Sequence, residues 1–480
     1  IELDDHTADA GVMTRLEAFL DTSSLKHLRK REPAGASRVL MRRRRKGAPS
    51  IRPSEELQRT LEGRRLYFSH VCTGMSDILS AAMNANGINA QCLPPQDERV
   101  EELGRRHALG NECHPYIITL GDIVSLTRMP GFDPSRTALA MFNYDGSCRL
   151  SQCAMSHKLA LQRMGLGEIP VIGPITGTRT EELTRLFGLK TMMAVWKGWM
   201  AAEVLQRHLY SIRPLERVKG EADAAHKRGL ELIVDVISQD SSMGFTFDRR
   251  FAEALRNAVH GIKSVPIHRD DDRPRIGLLG EFFTALNSWV NADIVRQLES
   301  LGAVVKPHGY SVTNVLMYYH ERYYAYERLR AGRKLSALYY DLRRRWIQRM
   351  ADIIESEIDG EAGPYRILHA DEIDRNIEGI IHYDIDPIVT TYVARFIDYM
   401  RGGIDGICCP SILNCMLSNM MHSIFRPISD KNGGLPLFIV PFDGIKQTNM
   451  RTRLEAFIEQ ARVRRIRKHI RTNQHAKLSL

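Results

Sequence analysis

Three of the eight cysteines lie where a loop is expected to lead into a helix. Cys113 follows the turn at 110–112, Cys148 follows the turn at 145–147, and Cys415 follows a short loop after an apolar run. Amide donors and the helix dipole at such positions favour the thiolate, which is the form of cysteine that binds metals. Three thiolates assembled across the fold could hold an iron–sulfur cluster, and the plainer alternative is that these cysteines are small buried apolar residues.

Other catalytic and cofactor motifs are absent from the sequence. It has no GxxxxGKS or GxxxxGKT loop, no GxGxxG after a strand, no HExxH, no GxSxG and no CxxC pair. This excludes the motif-defined ATP and dinucleotide sites, the zinc-protease helix, the nucleophile elbow and the zinc ribbon. Asp384 and Asp386 form a carboxylate pair, but Pro387 follows directly, which predicts a helix N-cap.

The elements that must position the cysteines alternate between strand and helix patterns. This alternation predicts an α/β fold of two or more doubly wound, parallel, Rossmann-like lobes with an intervening helical segment. Strands are expected at 66–68, 88–93, 137–142, 170–172, 276–279, 303–306, 404–409 and 437–440. Helices are expected at 75–83, 97–107, 116–127, 150–164, 291–301, within 312–358, and from about 448 past 465.

These patterns divide the chain into a lobe at 63–178 with Cys113 and Cys148, a helical segment at 179–271, and a lobe at 272–460 with Cys415. Ligands of such folds bind at the carboxyl ends of the strands, and the three cysteines follow strand ends there.

The net charge of +10 is concentrated in a basic linker at 22–62 and a basic tail at 461–480, so the rest of the chain is mildly acidic. The linker could bind an acidic partner, RNA or a membrane surface, or it could simply be solvated. Stacking aromatics are sparse in both segments, which speaks against a dedicated single-strand binder. No apolar window spans a bilayer and no signal-peptide pattern is present, so we expect a cytoplasmic protein without a membrane span.

A six-residue stretch occurs twice, as Thr14–Phe19 and as Thr452–Phe457. In both places a turn that contains aspartate precedes it, which suggests duplicated lobes that each end in strand, turn and helix. Chance identity is the alternative. If the repeat is real, residues 1–21 are the end of an upstream lobe and the chain is a fragment of a larger protein, as Ile1 in place of methionine also suggests.

Seven short stretches, in chain order, resemble the family of 2-hydroxyacyl-CoA dehydratase iron–sulfur subunits. The likeness is strongest to the C-terminal, dehydratase-subunit-like region of the large CoA-substrate-specific activase-related proteins of anaerobes. The stretches are residues 1–9 with 14–19, 110–115 with 120–122, 146–149, 212–214 with 220–223, 280–281 with 291–293, 405–407 with 415–416, and 442–444 with 447–449 and 452–457.

The resemblance implies a [4Fe–4S] cluster held by Cys113, Cys148 and Cys415, with the fourth iron position open or taken by a non-cysteine ligand. It implies an ATP-driven activase, in the same longer chain or a separate subunit, that delivers a low-potential electron for a CoA-type or other reducible substrate. It also implies a homo- or heterodimer. No ATP site is expected in this chain.

This sequence departs from the family pattern around two of the ligands, where Ser147 replaces the proline before Cys148 and Leu417 replaces a proline after Cys415. Both changes put the substrate pocket in doubt. Three further cysteines are possible extra ligands, and a double-cubane cluster would need six. They are Cys72, Cys153 and Cys409.

Two other functions fit the sequence. A cluster-free scaffold or assembly subunit would keep the fold and lose the redox role. A nucleic-acid-associated protein would act through the basic linker and tail.

Overall fold

The computed structural model describes most of the chain after residue 51. The described residues are 52–72, 74–110, 112–141, 148–173, 180–239, 248–268, 272–307, 321–356, 367–413, 415–444 and 448–478. The predictions for residues 1–21, for the linker up to residue 51 and for the first copy of the repeat lie outside them.

The described residues contain two sheets of four parallel strands each, which confirms the prediction of an α/β fold with Rossmann-like lobes. The first sheet consists of β1 (Arg65–Phe68), β2 (Ala90–Cys92), β3 (Thr137–Ala140) and β4 (Val171–Ile172). The second consists of β5 (Arg275–Leu278), β6 (Val304–Pro307), β7 (Gly406–Ile412) and β8 (Leu437–Phe442).

Both sheets have the same strand order, β2-β1-β3-β4 and β6-β5-β7-β8. In each sheet the second strand lies on one side of the first strand, and the third and fourth strands lie on its other side. The connections after the first and third strands therefore run in opposite directions, and a crevice opens between the carboxyl ends of these two strands. The switch points therefore lie between β1 and β3 and between β5 and β7. The shared order is the arrangement that a duplication would produce.

Helices cover and connect the sheets. The first lobe contains α1 (Glu55–Leu61), α2 (Met75–Ala85), α3 (Glu98–His107), α4 (His114–Thr127) and α5 (Cys153–Arg163). The segment between the sheets contains α6 (Thr180–Phe187), α7 (Leu189–Ile212), α8 (Glu221–Gln239) and α9 (Arg249–Lys263). The second lobe contains α10 (Phe282–Leu286), α11 (Ile294–Ser300), α12 (Tyr324–Arg330), α13 (Lys334–Ser356), α14 (Ala370–Ile377), α15 (Pro387–Arg401), α16 (Met416–Lys431) and α17 (Met450–Leu478).

The helical segment packs on the first sheet, and small residues allow its helices to approach closely. A side chain at Gly198 of α7 would collide with Ile78 of α2 and Ile237 of α8. One apolar core joins these helices to β1 and β3. Within the described ranges, no helix combines the length and the apolar character needed to cross a bilayer.

The folded first lobe begins earlier than the predicted boundary at residue 63. Ser54 caps α1 by accepting a hydrogen bond of 3.1 Å from the backbone of Leu57, and Leu57 is buried in the core of the first lobe. The backbone N–H of Ser54 also donates to the carbonyl of Leu186. Residues 54–61, which the sequence predicts as linker, therefore belong to the folded body.

The basic tail continues α17 and docks on the second lobe. Arg465 and Lys468 lie 3.5 Å and 3.1 Å from the carboxylate of Asp405, which is fully buried at the start of β7. Arg462 and Arg464 donate to the carbonyls of Leu301 and Gly433. Among the tail residues whose side chains the structure describes, Arg462, Arg464, Arg465 and Lys468 thus have partners within the protein.

The helix N-cap predicted at 384–387 is confirmed. The Asp386 carboxylate accepts from the backbone of Ile388 and Val389 at the start of α15. Asp384 forms an ion pair of 2.7 Å with Arg330.

Candidate cysteine site between the two lobes

Each of the three predicted site cysteines is the residue that precedes a helical turn, as the sequence indicated. Cys113 is the N-cap of α4, and Cys415 is the N-cap of α16. Cys148 caps the 3-10 turn Arg149–Gln152, where its sulfur accepts from the backbone N–H of Leu150 at 3.5 Å. Of the three, only the Cys148 sulfur makes a cap hydrogen bond, whereas Cys113 and Cys415 are N-cap residues without one.

The fold brings these cysteines together across nearly the whole chain. Cys415 belongs to the apolar core of the second lobe, and Cys113 and Cys148 of the first lobe pack against that core. Cys148 lies so close to Cys113 and Cys415 that each of them raises the pKa of its thiol. The packing of the two lobes thus brings thiols from both of them into one region.

Cys148 and Cys415 occupy corresponding places in the two lobes. Cys415 follows β7, the third strand of its sheet, and Cys148 follows β3, the third strand of the other. Both strands border a switch point, so the carboxyl edges of the two sheets contribute one thiol each. The third, Cys113, comes from the hairpin of α3 and α4, so the prediction that it follows a strand end is wrong.

Two glycines hold that hairpin together. A side chain on Gly104 would lie 1.9 Å from the carbonyl oxygen of Ile117, and one on Gly121 would lie 1.9 Å from that of Val100. The two helices can therefore cross in close contact only because both positions lack a side chain. This crossing fixes where α4, and with it Cys113, begins.

A buried polar contact further anchors the start of α4. The His114 ring lies 3.1 Å from Glu101 of α3, and Arg105 also bonds Glu101. Burial raises the pKa of Glu101, but hydrogen bonds from His114 and Arg105 outweigh it, so the pKa is lowered. Arg105 in addition donates to the carbonyl of Asp443 in the second lobe, so this contact connects the Cys113 hairpin to the lobe of Cys415.

The thiols themselves resist ionisation. Burial raises the pKa of Cys113 and of Cys415, and raises that of Cys148 to about 12. Backbone amides lower the pKa of all three thiols, and the Arg149 guanidinium also lowers the pKa of Cys113, but burial has the larger effect. A cationic occupant would favour the thiolates, because metal binding displaces the thiol protons.

Sequence reasoning named Glu281 only within the stretch 280–281 of the family resemblance and not as a site residue. Its carboxylate raises the pKa of Cys113, Cys148 and Cys415, so it lies near all three. It also raises the pKa of Tyr392, a buried residue of α15. The available signal was its place directly after the apolar strand β5, at the carboxyl edge of a parallel sheet.

Two of the possible extra ligands lie close to this region: Cys153 lies near Cys113 and Cys148, and Cys409 belongs to the same apolar core as Cys415. Cys113 and Cys148 both raise the pKa of Cys153, and Cys113 packs against the cluster that contains it. Cys72 instead lies near Cys92 and packs against α10. Cys409 is fully buried in β7, and burial accounts for its raised pKa.

The described side chains do not form a site for a single metal ion. Among the described residues, no three His, Cys, Asp or Glu side chains stand close enough together to hold one metal ion. The ligands of a cubane bind different irons, so they need not converge on a single point. Soft thiolates beside backbone amides are the groups that hold such clusters.

Comparison with models of known protein families gives no match, and comparison with curated proteins gives none. The family resemblance stated from the sequence motifs therefore remains a prediction, and the argument for function depends on the site.

Proposed function

We propose that this protein is an iron–sulfur redox component in which Cys113, Cys148 and Cys415 hold a [4Fe–4S] cluster. The observation that carries the proposal is that three cysteines at helix starts in two lobes lie against one apolar core, two of them after the third strand of their sheets and one in the hairpin of α3 and α4. These cysteines lie 35 to 302 residues apart in the sequence, so the fold and not a local motif brings them together.

The chain supplies three things to such a group. Its thiols supply ligands, its helix N-termini supply N–H donors near the sulfurs, and the apolar core of the second lobe limits water around Cys415. When bound, a cluster would supply one-electron redox chemistry at a potential set by charge, hydrogen bonds and exposure. We propose an ATP-dependent activase as the electron donor, a CoA-type or other reducible substrate as the acceptor, and a dimer as the working form.

The test is the iron and acid-labile sulfide content of anaerobically reconstituted protein, with Cys113→Ser, Cys148→Ser and Cys415→Ser beside the wild type. We expect about four of each per wild-type chain and a loss of cluster absorbance in every variant. Cys92→Ser is the matched control, since Cys92 is also partly buried but lies near Cys72 rather than the site. Circular dichroism checks that each variant is folded.

Two outcomes would overturn the proposal. Wild-type protein that holds no iron after reconstitution would favour the cluster-free scaffold. Full cluster absorbance in all three folded serine variants would show that the cluster, if bound, lies elsewhere.

A further inference from the structure

A stripe of apolar side chains runs along the outer face of α13. The inner face holds the helix to the body, since Met350, Ala351 and Ile354 are buried in the core of the first lobe. The outer face carries five large side chains that are between 36% and 85% exposed, at positions i, i+3, i+4, i+7 and i+11. They are Leu335, Leu338, Tyr339, Leu342 and Trp346. These spacings bring side chains to one side of an α-helix, so the five form a continuous stripe.

The size and pattern of this stripe fit a second helix. Single exposed apolar side chains are normal on a protein surface, whereas contiguous ones mark a contact surface. Residues 335–346 cover about three helical turns, a length of about 16 Å. The spacing i, i+3, i+4 and i+7 is also the one through which helices recognise one another. The outer face of α13 therefore matches one short helix laid alongside it.

Positive charge lies at both ends of the stripe. Arg345 and Arg349 follow Leu338 and Leu342 by seven residues, so they lie on the same face two turns further along the helix. Lys334 is the first residue of α13, at the other end. A partner for this face therefore needs apolar side chains in its middle and negative charge at its ends.

The chain itself balances these cations poorly. Arg345 pairs with Asp341, but Arg344 shares that carboxylate. In the part of the chain that the structure describes, no ion pair joins Lys334 or Arg349 to an acid. Lys334 also stands in the first turn of its helix, where positive charge is unfavourable, and that turn contains no acid. A bound acidic group would compensate these charges.

The charges also distinguish between the possible occupants. In a two-fold contact with a second copy of this chain the same face would stand on both sides, so Lys334, Arg345 and Arg349 would meet cations in either helix orientation. An anionic membrane surface would extend past the stripe and meet Asp352, an exposed carboxylate seven residues after Arg345 on the same face. A short acidic helix meets neither obstacle.

We propose that the outer face of α13 docks an acidic amphipathic helix of a partner protein. The apolar side chains of that helix pack on the stripe at 335–346, and its aspartates or glutamates pair with Lys334, Arg345 and Arg349. This inference does not depend on the proposed cluster, because the surface contains no cysteine.

The probe is a fluorescent synthetic peptide helix in which leucines at i, i+3, i+4 and i+7 are flanked by glutamates. Fluorescence anisotropy measures its binding to the full chain, beside a peptide of the same composition in scrambled order. We expect the patterned peptide to bind and the scrambled peptide not to bind. The double variant Leu338→Ser, Leu342→Ser should bind the patterned peptide about tenfold more weakly, because it loses two apolar contacts from the centre of the surface.

A charge reversal separates a specific contact from apolar adhesion. The double variant Arg345→Glu, Arg349→Glu should lose affinity for the acidic peptide and gain affinity for a peptide in which lysine replaces every glutamate. Leu232→Ser and Arg59→Glu are the matched controls, since both side chains are exposed on other helices. Both should bind as the wild type does.

Circular dichroism checks that each variant is folded. If the double leucine variant does not fold, the charge reversal carries the test, because both arginines are exposed. Equal binding of the patterned and scrambled peptides, or none of either, would overturn the inference. It would also be overturned if sedimentation showed a dimer of this chain that the leucine substitutions dissociate, since a second copy would then cover the stripe. Cosedimentation with phosphatidylserine vesicles that the same substitutions abolish would assign the face to a membrane instead.

Discussion

The Arg213 guanidinium donates two parallel hydrogen bonds, 2.8 Å and 2.9 Å long, to the carboxylate of Glu299. Arg213 follows α7 of the helical segment and Glu299 lies on α11 of the second lobe, so the pair joins these two parts of the chain. Arg213 also donates a hydrogen bond of 3.1 Å to Asp223, and Arg296 donates another to the Asp223 carboxylate. The side chains of Arg213 and Glu299 are each 7% exposed, so water screens the pair little.

Replacing Arg213 with alanine should destabilise the protein strongly. Glu299 would stay buried without its bidentate partner, and breaking such a pair costs about 3–5 kcal/mol. Chemical denaturation should show this loss. Arg59→Ala is the control, because Arg59 and Glu55 are 77% and 90% exposed and such pairs contribute about 0–1 kcal/mol. Equal effects of the two substitutions would contradict a structural role for the Arg213 pair.

Replacing Gly104 with alanine should force α3 and α4 apart. The added carbon would overlap the carbonyl of Ile117, which is backbone and cannot rotate away. We expect a loss of about 3 kcal/mol in the free energy of unfolding, in the range of strong steric defects. Because Cys113 begins α4, cluster binding should weaken as well.

The matched control is Gly261→Ala in α9, where an added carbon meets no other atom. Alanine there should stabilise the helix by about 0.5–1 kcal/mol. A Gly104→Ala variant as stable as the wild type would show that the crossing of α3 and α4 can relax.

Asp122 should make stability depend on pH. Burial raises its pKa to about 7, although hydrogen bonds from Gln96 and Ser69 lower it. Gln96 donates to Asp122 at 2.8 Å and accepts from Asn287 of the second lobe at 2.9 Å, so the group belongs to a buried contact between lobes. The native state binds this proton more tightly than the unfolded state. Stability should therefore fall as pH rises from about 4 to about 7, and the full penalty should remain above that.

The Asp122→Asn substitution removes the titratable carboxyl group and keeps a side-chain oxygen that can accept the hydrogen bond from Gln96. We expect the substitution to raise the melting temperature at pH 8 and to change it little at pH 5. Its effects on the free energy of unfolding at these two pH values should differ by an amount on the order of 3 kcal/mol. Asp77→Asn, at an exposed carboxylate of the same lobe, should have no such pH-dependent effect. An equal melting-temperature change at both pH values would mean that Asp122 does not titrate in this range.

Strands could be predicted from the sequence to within a few residues, because buried parallel strands are short apolar runs bounded by glycine, proline or polar turns. Helix starts were less predictable. The predicted helix at 291–301 begins only at Ile294, because Ala292 and Asp293 adopt left-handed backbone angles with φ of 52° and 51°. The predicted helical region at 312–358 is interrupted at Gly332, which has φ of 70°.

The candidate site was predictable in part. Loop-to-helix junctions indicated Cys113, Cys148 and Cys415 separately, since that pattern is local, but only Cys148 and Cys415 follow strands. Their convergence depends on how the two lobes pack, through contacts such as Gln96 with Asn287, which no local pattern encodes. Glu281 was noted only within a resemblance motif, because nothing in its sequence neighbours shows that it affects thiols far away in the chain.

The contacts of the basic tail allow a structural role to be tested against a role in nucleic-acid binding. Asp405 is fully buried and accepts from the backbone N–H of Arg275 at 2.9 Å, while Arg465 and Lys468 balance its charge. Replacing both Arg465 and Lys468 with methionine should leave a buried carboxylate without a counter-charge and cost about 3–5 kcal/mol. Arg467→Met, at an exposed neighbour on the same helix, should leave the melting temperature unchanged.

The same variants test the nucleic-acid hypothesis. A binding arm would lose RNA affinity in proportion to the cations removed, with a shallower dependence on salt, and would keep its stability. A structural tail would lose stability only in the Arg465→Met, Lys468→Met double variant. Melting curves of both variants, with titrations of a fluorescent RNA at two salt concentrations, distinguish these results. Because Asp405 opens β7, the strand that leads to Cys415, we expect the double variant also to bind iron less tightly than Arg467→Met.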